Sequence, residues 1–436
     1  MKIYGLADCN SFFASCEKVF HPEWNDRPVV VLSNNDGCIV ARSYEAKPLV
    51  PMGAPYFQVK NILKSNNAVV RSSNFSLYGD MSRRVMRTLR RWTADLEIYS
   101  IDEAFLDLTG RFLGDLRKGR SIDAAVAALA AEIVETVPRW TGIPVSFGVG
   151  PTKTLAKAAN KIAKGRKSRQ CSILDEKERT ALLAELEIAD LWGVGRRLAP
   201  RFRRLGFRTA ADLAAADPLW IRRNFSIMQE MTVRELNGCD CFDLETVPDP
   251  PKSVRASRSF GTPVTRLETI QNAVASFVAE AARRLRKSDC VASAVVVQLD
   301  TNRFRADQTQ SHVALTAGLD TPTSDTPTLL AAALDAAARL FRPDVEYKRA
   351  MILLIGIVER ENAFRQRTFF DSPTDERERK SREKLMSAVD HLNQSLGSGR
   401  IFYAAEGIDP VWRPSSEFVS PSYTTRWSDI PVVKAK

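Results

Sequence analysis

Residues 97–110 read EIYSIDEAFLDLTG, and this stretch decides the fold. Apolar and β-prone residues flank a central Asp102-Glu103, which predicts two short strands joined by a tight turn. Upstream, IYGLADC (3–9) reads as a short buried strand ending at an acid, Asp8. NSFFASCEK (10–18) reads as a helix with Asn10 or Ser11 as its N-cap. Two strands at 28–34 and 38–44 flank the turn-forming Asn35-Asp36-Gly37, and 81–93 reads as a basic helix. Downstream come an Ala-rich amphipathic helix at 121–137 and a strand at 144–149. A further helix runs to about 164, with Pro151 in its first turn. The order over 1–150 is β-α, an insertion, then β-β-α-β, which is the ferredoxin-like pattern of an α+β protein. The insertion at about 20–80 forms a small subdomain.

Residues 185–235 change character. They are helical, dense in Arg, and punctuated by Gly193-Val194-Gly195 and Gly206. A Pro-rich linker at 240–256 leads into a second βαββαβ unit ending at 358. Its helices are expected at 267–287 and 326–341. After a charged run at 375–384, one amphipathic helix places Leu385, Val389, Leu392 and Leu396 on one face. An irregular tail follows.

In a ferredoxin-like sheet the first strand lies beside the strand carrying the Asp102-Glu103 tip. Asp8, Asp102 and Glu103 are therefore expected to meet at one sheet edge. Close carboxylates repel unless cations bridge them, and hard oxygen ligands suit Mg²⁺. Two such ions can activate a 3′-hydroxyl and stabilise a leaving pyrophosphate. Asp107, next in the alternation, is assigned a structural role.

Composition bounds the choice. With 436 residues, two to four domains are expected. A net charge of +11 and a pI near 9.4 favour a polyanionic partner, nucleic acid first. No apolar run of membrane-spanning length occurs, and the first residues lack a secretory pattern, so a cytoplasmic protein without membrane contact is expected. Seven scattered Cys without a CxxC pair, and three distant His, speak against structural zinc.

DCNSFFASCE (8–17), SNNDGCIVARSYEAK (33–47) and YSIDEAFLDLTG (99–110) resemble the signature motifs of the Y-family DNA polymerases, in particular the UmuC group. The tail SPSYTTRWSDIP (420–431) extends the likeness. The resemblance implies a right-hand polymerase: palm at 1–166 with inserted fingers at about 20–80, helix-hairpin-helix thumb at 167–240, little finger at 241–358, and a clamp- and partner-binding tail at 359–436. It implies an error-prone translesion polymerase of the SOS DNA-damage response, working on primer-template DNA and dNTPs.

By the same likeness, two Mg²⁺ ions are held by Asp8, Asp102, Glu103 and the carbonyl of Cys9. Phe13 is the steric gate that would clash with a 2′-hydroxyl. Tyr44, Lys47 and Lys164 contact the triphosphate, with Lys153, Lys157 and Lys161 as backbone contacts. Lys47 stands where many members carry Arg, and keeps the charge without the bidentate fork. Gly193 and Gly195, with Arg196 and Arg197, hold DNA phosphates; Arg201, Arg203 and Arg204 add positive charge nearby. Arg255, Arg258, Arg303 and Arg305 are further phosphate contacts. Gln366, Phe369 and Phe370 resemble a sliding-clamp docking motif, with Phe369 departing from the usual Leu. Implied partners are a processed UmuD-type dimer, RecA and the sliding clamp. Two other readings stand beside this one: a nucleotidyl cyclase, which needs no basic thumb, and a non-catalytic DNA-binding protein, which needs no metal acids.

Overall fold

The computed structural model describes residues 1–247, 249–363, 373–397, 399–408 and 411–432, without the side chains of 373–375. The chain forms two compact units. One comprises Met1–Ser33, Gly37–Pro248 and Phe418–Lys436; the other comprises Asn34–Asp36 and Asp249–Glu417.

The first unit is built on β1 (Tyr4–Cys9), α1 (Phe12–Val19), β2 (Val29–Leu32), β3 (Ile39–Arg42), α2 (Tyr56–Ser65), β4 (Val69–Ser72) and α3 (Phe75–Leu89). Then follow β5 (Leu96–Ile98), β6 (Glu103–Asp107), α4 (Thr109–Arg117), α5 (Asp123–Thr141), β7 (Val145–Gly150), α6 (Lys153–Ala163) and β8 (Gln170–Ser172). The main sheet runs β5-β6-β1-β7-β8. Its first four strands have the ferredoxin-like order. β8 pairs parallel with β7, so the sheet continues past residue 166. β1 is buried along its whole length because both of its faces are covered. Ile3, Ala7 and Cys9 face the core under α1, α3 and α5, while Tyr4 and Leu6 share the opposite side with Phe105 and Ala156 of α6. Alternation puts Asp8 on the α6 side.

Helix α6 lies unusually close to the sheet. A Cβ on Gly148 would fall 2.1 Å from the Asn160 backbone nitrogen. Asn160 stitches the interface, its Nδ2 donating to the carbonyls of Leu6 (3.0 Å) and Ser146 (2.8 Å). Two expected caps differ. α6 starts at Lys153 with Thr152 as its N-cap, so Pro151 precedes the helix instead of occupying its first turn. Ser11 stands at the α1 N-cap in left-handed conformation without a side-chain bond, and Asn10 instead accepts from Ser146 Oγ at 3.0 Å.

The insertion folds as a separate small sheet, β3-β2-β4, in which β4 pairs parallel with β2. The helical segment comprises α7 (Glu176–Ala184), α8 (Leu198–Arg204), α9 (Ala210–Ala214), α10 (Pro218–Asn224) and α11 (Ile227–Leu236). It has its own core around Phe202, Ile221, Val233 and Leu236. Buried Glu235 ties α11 to the start of α6: its carboxylate accepts from the Thr154, Cys241 and Phe242 N–H groups at 2.8, 2.8 and 3.1 Å.

The last part of the first unit comes from the far end of the chain. Phe418 pairs with Ser72 through two bonds, Ser72 N–H to the Phe418 carbonyl (3.1 Å) and Phe418 N–H to Ser72 Oγ (2.9 Å). Tyr423 stacks on Phe20 at 4.5 Å.

The second unit holds β9 (Val254–Val264), α12 (Leu267–Lys287), β10 (Cys290–Asp300), β11 (His312–Thr323), α13 (Thr326–Leu340), β12 (Tyr347–Ile355), β13 (Val358–Glu359), α14 (Arg360–Ala363) and α15 (Pro373–Leu396). The expected βαββαβ element order is present, but the strand order is β11-β10-β12-β9, all antiparallel. It is therefore not a second copy of the first sheet's topology. On α15 the expected apolar face is not the buried one. Met386 is buried, whereas Leu385, Leu392 and Leu396 are exposed, because the Arg286–Asp390 pair fixes the helix at 2.7 Å. Among the described residues no helix is long and apolar enough to cross a membrane.

Candidate active site

Asp8 and Glu103 are antiparallel register partners across β1 and β6, so their carboxylates emerge on the same side, under α6. One turn of that helix carries Lys157 and its C-cap is Lys164. Lys164 Nζ lies 2.6 Å from Asp8, and Lys157 Nζ lies 3.0 Å from Glu103. Burial, opposed by Lys164 and helped by Glu103, raises the Asp8 carboxyl to about 7. Burial acts on Glu103 in the same direction, but the bond with Asp8 and the Lys157 charge outweigh it and hold Glu103 below its ordinary value. The two acids are thus pushed in opposite directions, Asp8 up and Glu103 down.

Asp102 sits on the turn beside them. Its carbonyl accepts from Cys9 N–H at 2.8 Å, which places it next to the end of β1. Its side chain accepts from Ser100 Oγ at 2.5 Å. Among the described residues no three His, Cys, Asp or Glu converge tightly enough to hold a metal ion. Asp8 and Glu103 are in register, and Asp102 lies beside them with its side chain bonded to Ser100. Asp107 accepts from Thr109 N–H at 2.8 Å, at the start of the next helix.

A group of cations lies on the same side. Lys47 Nζ sits 3.9 Å over the Tyr44 ring, and Arg169 sits 5.6 Å from that ring. Burial lowers the Lys47 pKa, and the charges of Arg42, Lys164, Lys161 and Arg169 lower it further. Arg42 Nε and Arg169 Nη1 are buried without a hydrogen-bond partner among the described residues. Lys164 and Lys161 are partly offset by Asp8 and Asp190, but the crowding of five cations still favours a polyanion. Arg42 and Arg169 were not expected from the sequence. Arg42 stands two residues before Tyr44 and was within reach of the motif; Arg169 is brought in only by β8.

The other lysines separate. Lys153 is buried and paired with buried Glu97 at 2.7 Å. Lys161 pairs with Asp190 at 2.7 Å. Phe13 stacks on Tyr78 at 4.5 Å and 14°.

Gly193, Gly195, Arg196 and Arg197 are all exposed, on the loop before α8. Gly193 has φ +83°, a conformation that other residues rarely adopt. Arg203 is engaged by Glu187, Arg258 by Glu280 and Arg305 by Asp307, so local acids offset these charges. Gln366, Phe369 and Phe370 lie outside the described residues.

The impB/mucB/samB family matches residues 7–161, and its C-terminal domain matches 251–369. A domain of unknown function matches 383–433. Protein UmuC of Salmonella typhimurium is 39% identical over 437 residues, covering 99% of this chain and 100% of that protein. Protein MucB of Escherichia coli is 37% identical, covering 100% of both. DNA polymerase IV of Brucella melitensis is 28% identical over 68% of this chain and 64% of that protein. Among solved structures, a Dbh–Dpo4 Y-family DNA polymerase chimera superposes with a TM-score of 0.64 at 23% identity, over 82% of this chain and 99% of that one. The chain belongs to the impB/mucB/samB family, the UmuC-like group of the Y-family DNA polymerases.

Proposed function

We propose that this chain is an error-prone, lesion-bypassing DNA polymerase that adds dNTPs to a primer 3′-hydroxyl on a DNA template, as part of the SOS response. The observation that carries the reading is the juxtaposition of the Asp8–Glu103 pair with the cation group of Arg42, Lys47, Lys161, Lys164 and Arg169. One holds divalent ions; the other holds a triphosphate.

The donors fit Mg²⁺. Asp8, Asp102 and Glu103 would hold two ions, with the Cys9 carbonyl as a further ligand. Bound there, the ions supply activation of the 3′-hydroxyl and neutralisation of the leaving pyrophosphate. Lys164, Lys157 and Ser100 now bond Asp8, Glu103 and Asp102 and would yield these carboxylates to the ions; Lys164 and Lys157 could then turn to the phosphates. Tyr44 and Lys47 hold the triphosphate, and Phe13 refuses the 2′-hydroxyl. The loop at Gly193 and Gly195, with Arg196 and Arg197, grips the duplex backbone without reading sequence. The fingers contribute only a small sheet and one helix, so discrimination falls back towards base-pairing energy.

The partners fit the same reading: a processed UmuD-type dimer, RecA, and a sliding clamp docked through Gln366, Phe369 and Phe370, in the cytoplasm. Exposed Leu385, Leu392 and Leu396 on α15 offer apolar area to one of them. The test is primer extension on an abasic-site template with Mg²⁺, dNTPs, the UmuD-type dimer, RecA and ATP, comparing the wild type with Asp102→Asn. Bypass is expected, and its loss in the variant. DNA binding without any extension by the wild type would defeat the reading.

A further inference from the structure

Glu17 has no part in the chemistry above, yet it is 0% exposed. It lies one helical turn after Phe13 on α1, so the two share a face. Tyr78 of α3 spans both. Its ring stacks on Phe13, and its hydroxyl donates to Glu17 Oε1 at 2.7 Å. A second donor reaches the same oxygen: Ser420 Oγ, at 3.1 Å. Asn74 holds Ser420 in turn, its Nδ2 donating to Ser420 Oγ (3.0 Å) and to the Ser420 carbonyl (3.2 Å). The Oδ1 of the same Asn74 caps α3 at Leu77 N–H, 3.1 Å. On either side of Ser420, the Phe418–Ser72 pair and the Tyr423–Phe20 stack fix the segment.

A buried acid is costly unless donors surround it. Burial pushes Glu17 above its ordinary pKa against the bonds from Tyr78 and Ser420. Glu17 is therefore retained at some cost, and its one visible product is a fixed Tyr78 beneath Phe13. A gate that refuses an extra hydroxyl works by ring position. A ring free to retreat by a fraction of an ångström admits the larger sugar.

We propose that the segment Phe418–Tyr423 braces Phe13 through Ser420, Glu17 and Tyr78, so that the C-terminal domain of unknown function sets how strictly ribonucleotides are refused. Ser420, Glu17 and Tyr78 are positioning residues. The proposal rests on the reading of Phe13 as the sugar gate.

The experiment uses the full chain with primer-template DNA, Mg²⁺ and the partners named above, and measures kcat/KM for one dNTP and for the matching rNTP. The ratio of the two is the readout, because loss of folded protein cancels from it. Ser420→Ala and Tyr78→Phe are each expected to lower the ratio about fivefold, the scale of one lost hydrogen bond. The double variant is expected to fall no further, since both changes break one chain of contacts. Phe13→Ala is the reference and is expected to lower the ratio most. Wild-type ratios in both Ser420→Ala and Tyr78→Phe, with rNTPs still admitted by Phe13→Ala, would overturn the brace and leave the gate standing. An unchanged ratio in Phe13→Ala would remove the gate reading itself, and the brace with it.

Discussion

Asp8 on β1 and Glu103 at the start of β6 face each other directly across an antiparallel ladder, and each has a lysine from the same helix within 3.0 Å. On the proposed reading, a divalent cation would take the place these lysines hold beside the acids. Asp8→Asn and Glu103→Gln are therefore each expected to lower kcat by about a hundredfold or more, the scale of lost transition-state charge stabilisation. Gel-shift affinity for primer-template should stay within about twofold of the wild type, because phosphate contacts dominate it. A variant that keeps full kcat would remove that carboxylate from the ion site.

Because burial raises the Asp8 carboxyl, ion binding at the proposed site is expected to depend on pH. The folded chain raises Asp8 to about 7, so folding favours its protonated form. The stability this group contributes is full below the ordinary carboxylate range and is lost as pH rises through about 7. Glu103, held low, runs the other way, and its contribution is lost as pH falls through its folded value. A divalent ion must displace the proton. The rise in Tm produced by Mg²⁺ should therefore be larger at about pH 8 than at about pH 6. Equal shifts at both would show that the pair does not bind the ion.

Arg169 reaches the Tyr44 ring with its Nη1 unpartnered among the described residues. Arg169→Ala is expected to raise the KM for dNTP about tenfold with a smaller change in kcat, the pattern of lost ground-state binding. Lys47→Ala should do the same, and steady-state insertion kinetics read both. An effect on kcat alone would move these residues from binding to chemistry.

Gly148→Ala tests how α6 is placed. The new methyl would meet the Asn160 backbone at 2.1 Å, and neither strand nor helix can yield without moving Lys157 and Lys164. A loss of about 3 kcal/mol in denaturant unfolding is expected, together with weakened activity in the surviving folded fraction. A stable and fully active Gly148→Ala would show that the helix adjusts.

Short-range grammar carried most of the architecture. The 97–110 hairpin, the strand ending at Asp8 and the helix at Leu267–Lys287 were legible because each shows its period within a dozen residues. The pairing of Asp8 with Glu103 was legible for the same reason; the bond between Ser100 and Asp102 was not, since it is made within a turn of two residues. β4 escaped because four residues, VVRS, show no period of their own and gain their place only by parallel pairing with β2. The second sheet's strand order was hidden because element order does not fix pairing. Ser420 was the least legible of all: its partner Glu17 lies 403 residues away, and neither residue is unusual in its own neighbourhood. The sequence reading gave 359–436 to clamp and partner binding and left the contacts of 375–436 open; the return of Phe418 and Tyr423 places its last part in the first unit.

That return also imposes an order in time. A ribosome makes Glu17 and Tyr78 long before Ser420. At about 5–20 residues per second, the 403 residues between Glu17 and Ser420 take roughly 20–80 s to synthesise. Until then the nascent catalytic unit holds a buried acid short of a donor. A message broken off before codon 418 still encodes Asp8, Phe13, Asp102, Glu103 and Lys164 but not Ser420. On the proposed brace, its product has those parts and lacks the fastening that keeps Phe13 true.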